Sequence, residues 1–117
     1  MHELSVAGAI VDTVVRAAEG RHVSAVRLRV GHLRQVVPDS LAFYLEIVSR
    51  ETVCEGAAFE QVAVEAWLRC RGCEESWQVT EAAFRCPACA GSDVEVLSGE
   101  ELEVESIEVE ENAACTA

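Results

Sequence analysis

The sequence predicts an α+β fold, a small sheet of about three strands with two helices, into which a zinc-ribbon-like four-cysteine module is inserted. Three observations predict it. Two segments carry apolar residues at the three-and-four spacing of a helix with one buried side, others alternate with the period of a strand, and two cysteine pairs interrupt the pattern. The pairs are Cys70-Arg-Gly-Cys73 and Cys86-Pro-Ala-Cys89. Half of the 117 residues are apolar, enough for one modest core. A small module around the cysteines could not fold on packing alone, so a bound ion would have to hold it together.

In chain order, Leu4, Ala7, Val11, Val14 and Ala18 form the inward stripe of a first helix, which Gly20 ends. Val26, Leu28 and Val30 alternate with Arg27 and Arg29 as a half-exposed strand, and Gly31 to Val37 reads as a loop. Pro38 suits the first turn of a second helix that turns Leu41, Tyr44, Leu45 and Val48 inward, sets Asp39 near its positive end and stops near Arg50. Phe59 to Leu68 alternates through Val62, Val64, Ala66 and Leu68 as one strand running directly into Cys70. Glu74 to Arg85 supplies short strands between the cysteine pairs, with Trp77 and Val79 on one side and Phe84 on the next, where they pack the module. Gly72 and Gly91 suit its tight turns. Val94 to Leu97 closes the module, Ser98-Gly99 turns, and Leu102 to Val109 is a third long strand. There Ile107 and Val109 fall out of phase with Leu102 and Val104, so a bulge near Ser106 is expected. The implied organisation is an α+β domain over residues 1–68 and 98–112, an inserted module over 69–97 and a mobile tail over 113–117.

A two-residue gap lets one tight turn aim both sulfurs of a pair at a single ion, and a second such turn completes a tetrahedron. Zinc is the expected ion at Cys70, Cys73, Cys86 and Cys89. Four thiolates leave no open position for water or substrate, so its role is structural. Two disulfides are the competing reading. The chain opens without a basic segment and without an apolar run long enough for a signal peptide or a membrane span, so a reducing cytoplasm is expected, where paired cysteines bind metal. Two further readings stay open at this point: a rubredoxin-like iron protein, for which Cys86-Pro-Ala-Cys89 is a suitable knuckle, and a zinc-ribbon module that binds proteins. Cys54 reads as a small packed residue and Cys115 as a thiol in the tail.

Formal net charge is -12, with nine scattered basic residues, which argues against nucleic acid as a partner. The acidic density from Glu95 to Glu111 reads as a solvated strand face and tail. No Gly-rich phosphate loop, spaced His-Glu-His set or serine in a nucleophile motif is present, so no enzyme activity is expected.

His2 offers a second metal site. The terminal amine of Met1, the His2 amide nitrogen and the imidazole can form fused chelate rings, with the Glu3 amide as a fourth nitrogen, in the flat arrangement that nickel(II) and copper(II) favour. A bulky second residue should leave Met1 in place. His22 reads as a solvated loop residue, and neither it nor His32 lies in the cysteine module.

Met1-His2-Glu3-Leu4-Ser5, then Val30-Gly31, Val37-Pro38-Asp39-Ser40-Leu41-Ala42-Phe43, the two cysteine pairs and Ile107-Glu108-Val109 together resemble the HypA/HybF family of hydrogenase-maturation nickel chaperones. The resemblance implies a nickel-binding α+β domain with a structural zinc module. It further implies His2 as nickel ligand with Met1 and Glu3 as close contributors, and zinc on the four cysteines. Nickel as transferred cargo would pass, with a maturation GTPase, into the large subunit of nickel-iron hydrogenase. Asp39 lies where some members place an acidic group near nickel, although a helix start explains it equally. No histidine flanks the cysteine pairs, so any coupling between zinc and nickel should be conformational.

Overall fold

In the computed structural model, which describes residues 2–79 and 85–110, the chain forms two compact units. Among the described residues one comprises 2–29, 36–62 and 103–110, and the other 30–35, 63–79 and 85–102. Phe84, Cys115 and the tail over 113–117 lie outside the described residues.

The first unit is built on helix α1 (His2–Ala18), strand β1 (Val23–Gly31) and helix α2 (Pro38–Ser49). Strand β2 (Ala58–Val64) and strand β6 (Leu102–Val109) flank β1 in a three-stranded sheet of order β2-β1-β6. α1 buries Val6, Ala7, Ile10, Val11, Val14 and Ala18. The stripe runs wider than the spacing of Leu4 suggested, and Leu4 itself is exposed, because a residue in the first turn has no preceding turn to lie against. Glu19 and Gly20 both take positive φ, of 49° and 84°, and the Arg21 amide returns to the Ala18 carbonyl, so the helix stops in a left-handed turn. α2 begins at Pro38, whose missing N–H is no loss at that position, and buries Leu41, Leu45 and Ser49, while Tyr44 and Val48 are half-buried. The two helices pack on each other, and Val23, Val26 and Leu28 of β1 are buried in the core.

On the other side of β1 the arginines meet acids across the strands. Arg27 Nε donates to Glu60 Oε1 at 2.7 Å and lies 3.6 Å from Glu105, and Arg29 pairs with Glu103 at 2.7 Å. Cross-strand opposite charges explain the arginine alternation in β1. They stabilise little individually at this exposure. Burial along β6 changes phase between Glu105 and Ser106, both exposed, which accommodates Leu102 and Val104 together with Ile107 and Val109.

The second unit holds the remaining strands, β3 (Trp67–Cys70), β4 (Ser76–Gln78) and β5 (Val94–Ser98), in the antiparallel order β4-β3-β5. The single strand expected over Phe59 to Leu68 is therefore two strands in two sheets. Its alternation is unbroken through Val64, Ala66 and Leu68, but at Ala66 the carbonyl accepts from the Val79 amide at 2.8 Å, in the second sheet's ladder. The expected loop over Gly31 to Val37 contains a 3-10 turn, His32–Arg34. In β5 the register slips so that Trp67 faces Ser98 and Leu68 faces Val96, which leaves Leu97 as the extra residue, exposed.

The buried core of this unit is Ala66, Leu68 and Val79, with Leu33, Trp77 and Val94 packed around it. Backbones approach closely beside it. Gly99, at φ 109°, lies so near Ala66 that a Cβ would come within 2.6 Å of the Ala66 Cα, and a Cβ on Gly31 would overlap the Gly99 carbonyl. The Leu33 amide donates to that same carbonyl at 2.8 Å. Gly31 has an ordinary φ of -74°, so its requirement is steric alone. Gly31→Ala should cost about 1–3 kcal/mol, the usual range for overpacking. Thermal denaturation followed by circular dichroism checks this, and an unchanged midpoint would contradict the close approach.

Candidate metal centre

Each cysteine pair sits on a turn of the same construction. In the first, the Cys70 amide donates to the Glu75 carbonyl at 2.8 Å and the Glu74 amide donates to the Cys70 carbonyl at 2.8 Å. In the second, the Cys86 amide donates to the Gly91 carbonyl at 3.0 Å and the Ala90 amide to the Cys86 carbonyl at 2.8 Å. Each turn closes on a residue with positive φ, Glu74 at 65° and Ala90 at 61°. Neither is glycine, which corrects the roles expected of Gly72 and Gly91. Their φ values are not positive. Gly91 matters instead by proximity, since a Cβ there would lie 3.2 Å from Cys89 Sγ, whereas one on Gly72 would meet Cys70 Sγ at an ordinary 3.6 Å.

The turns bring Cys70, Cys73, Cys86 and Cys89 together, with all four sulfurs within 4.8 Å of one another. Cys70 and Cys89 are 3.7 Å apart and Cys73 and Cys86 3.5 Å. A tetrahedral thiolate site with metal–sulfur bonds of about 2.3 Å requires sulfurs roughly 3.8 Å apart, so the cradle fits one ion. A disulfide needs about 2 Å. All four, like Cys54, are free thiols.

The backbone also prepares the sulfurs for charge. N–H groups of Cys73 and Gly72 point at Cys70 Sγ, with Cys73 the larger influence, and lower this thiol to about 7 against the opposing effect of burial. At Cys73 the Glu75 amide favours the thiolate, but the neighbouring sulfurs of Cys86, Cys70 and Cys89, together with desolvation, push the thiol up to about 12. Cys89 is likewise raised: the Gly91 amide lowers it and is outweighed by Cys70, Cys86 and burial. Without a cation Cys70 ionises readily while Cys73 and Cys89 hold their protons. A divalent ion removes that conflict. Around the rim, Arg71 pairs with Asp93 at 2.9 Å, Arg69 lies 3.5 Å from Glu74 and Glu95, and Arg85 donates to the Ala90 carbonyl at 3.5 Å.

Of the other candidates, His2 is the first residue of α1 and is exposed, and Glu3 follows in the first turn, half-buried. Met1 lies outside the described residues. Asp39 is exposed in the first turn of α2. His22 is exposed, as expected, and its two ring nitrogens lie 3.1 Å from the Glu55 carbonyl and 3.4 Å from Glu110. His32 is exposed in the 3-10 turn. Cys54 is fully buried, and burial raises its thiol against a hydrogen bond with Thr52, which fits the packed role expected of it. The backbone groups that serve the cluster, on Gly72, Glu75 and Gly91, carry no side-chain signature, and only the spacing of the pairs hinted at them.

A profile of the family described as "Hydrogenase/urease nickel incorporation, metallochaperone, hypA" matches residues 1–109. A protein named hydrogenase maturation factor HypA from Geotalea uraniireducens is 43% identical over 110 residues, covering 94% of this chain and 100% of that protein. A namesake from Streptomyces avermitilis is 42% identical over 116 residues, covering 95% of this chain and 88% of its own. The solution structure of the Ni metallochaperone HypA from Helicobacter pylori superposes with a TM-score of 0.69 at 22% identity, over 93% of this chain and 97% of that one, a likeness of fold.

Protons compete with the ion for every sulfur, and the thiols of Cys73 and Cys89, raised above the ordinary value, must lose theirs on loading. Apparent affinity for a divalent ion should therefore fall as pH falls, by about a hundredfold or more per unit between pH 8 and 6, a factor of about ten for each proton displaced. Competition with a chromogenic chelator across that range measures it, and a flat response would refute the four-thiolate site.

Proposed function

The chain belongs to the HypA family of nickel metallochaperones of hydrogenase maturation, and from this premise we propose that it binds Ni(II) at its amino terminus and hands it on during assembly of nickel-iron hydrogenase, with a structural zinc on its four cysteines. The observation that carries the reading is a family match that begins at residue 1 and continues to residue 109, taking in Met1-His2-Glu3 and both cysteine pairs.

Zinc would be held by Cys70, Cys73, Cys86 and Cys89, where it supplies a cross-link between two turns. No coordination position is left for a reactant. The segment 69–97 would then be the inserted module that depends on the ion for its fold. At the other site, the first amides of a helix have no carbonyl from a preceding turn, so the His2 and Glu3 nitrogens can lose their protons to nickel without breaking a helical hydrogen bond. Ligands that follow one another along the chain can also be removed one by one by an acceptor. Transfer is then ligand exchange and needs no catalytic group, in keeping with relatives named as maturation factors and metallochaperones. The acceptors in this reading are a maturation GTPase and the hydrogenase large subunit, in the cytoplasm. No helix among the described residues is long and apolar enough to cross a membrane.

All nine basic residues are arginine, so the terminal amine is the one amine an acylating reagent can find. Nickel titration of untagged, zinc-loaded protein should show one nickel per chain. Both His2→Ala and acylation of the terminal amine should weaken binding by about a hundredfold or more, since loss of even an outer-shell partner costs about 10–100-fold. Zinc content should be unchanged in both. Equal nickel binding by all three forms would remove the terminal site. Cys73→Ala should instead lose zinc and the amide protection of residues 63–102, with α1 and α2 retained. Elemental analysis and hydrogen exchange read both, and iron in place of zinc would favour an electron carrier.

A further inference from the structure

The two cysteines of each pair are not equivalent. Cys70 and Cys86 are 1% and 2% exposed, whereas Cys73 and Cys89 are exposed. The cause lies in the repeated turn. Its first cysteine is tied at both backbone groups across the turn, and its second sits at the tip. Among the thiols, Cys70 has two backbone amides that favour its thiolate, of Cys73 and Gly72, while the exposed Cys73 and Cys89 have one each, of Glu75 and Gly91. Each such amide draws electron density from sulfur and blunts it as a nucleophile. The exposed pair also differs within itself. Glu75 stands two residues after Cys73, whereas the matching place after Cys89 is Gly91, where even a Cβ would lie 3.2 Å from the sulfur. Cys89 thus has no side chain at the place where Cys73 is followed by Glu75.

We infer that the four-cysteine centre opens from one side, through Cys73 and Cys89, which form a modification site for soft electrophiles whose capture releases the bound ion while Cys70 and Cys86 are still unmodified. With an activated alkene a lone pair of one thiolate sulfur attacks the alkene carbon and a carbon–sulfur bond forms. The alkene's π electrons move to the neighbouring carbon, which takes a proton from water. The sulfur becomes a neutral thioether and its bond to the ion breaks. Cys89 reacts ahead of Cys73. The inference rests on the four-thiolate metal reading, and the experiment separates the two.

The test uses the full metal-loaded chain with Cys115→Ser, its metal content measured first, treated with one equivalent of N-ethylmaleimide. Labelled sites are mapped by mass spectrometry and released ion is followed with a chromogenic chelator. Adducts on Cys89 and Cys73 should exceed those on Cys70 and Cys86 by about tenfold or more, with one ion released per labelled chain. Gly91→Ala should slow labelling of Cys89 and spare Cys73. Labelling spread evenly over the four, led by Cys70 or Cys86, or proceeding with the ion retained would overturn this inference and leave the metal centre standing. A chain that holds no ion when isolated and takes none up would overturn the centre itself, and this inference with it.

Discussion

Thiolates repel, and four of them within 4.8 Å stay together only with a cation among them or with protons left on most of them. The second unit depends on which of these holds. Its buried core amounts to Ala66, Leu68 and Val79, supported by half-exposed neighbours, and its strands are three to five residues long. A core of that size does not offset the conformational entropy of the turns it anchors. The sulfurs, by contrast, join positions 70 to 73 with positions 86 to 89 and close the loop between them. In the proposed reading, cross-linking through an ion is the interaction that lets the remaining contacts, including the close approach of Gly31, Gly99 and Ala66, persist.

Repetition of the turn shows how little side-chain chemistry the cradle needs. Both turns place their sulfurs by backbone hydrogen bonds alone, and both accept a non-glycine residue at positive φ to do so. Glu74 and Ala90 carry that strain at about 1–3 kcal/mol each as a general expectation for such conformations. The pull of an ion on four sulfurs is the natural compensation. In the first turn Glu74 also lies 3.5 Å from Arg69.

The sequence made legible what periodicity and spacing control. Both helices, the strands of the first sheet, the four-cysteine set and the phase change along β6 follow from residue pattern. What it hid was partnership. Alternation from Val62 to Leu68 is the same whether the chain stays in one ladder or leaves it at Ala66, because a period of two reports the face of a strand and not its neighbour. Glycine was misleading for a similar reason. Gly72 and Gly91 were expected to supply turn geometry, yet the left-handed residues are Glu74 and Ala90, while Gly91 is wanted for the space beside Cys89. His22 is solvated as its sequence context suggests, but its two partners, Glu55 and Glu110, are set by the fold and could not be read from the sequence.

A carrier and a cross-link ask opposite things of a metal site, and the ligand sets assigned to each in the proposed reading differ accordingly. The cysteines come from two turns separated by intervening chain, so a sulfur that dissociates is held close by the other three and rebinds before the ion escapes, unless it has been capped or removed. Ligands drawn from Met1, His2 and Glu3 share one short stretch with nothing to hold it shut, and loss of one loosens its neighbours. Softness separates them as well: thiolate at one site, amine, amide and imidazole nitrogen at the other. An ion suited to the flat nitrogen set gains nothing from a tetrahedral cage already filled by zinc, and zinc has no reason to displace an amide proton. The chain can therefore release its cargo without disturbing the ion that keeps it folded, provided the cage meets no electrophile at its open edge.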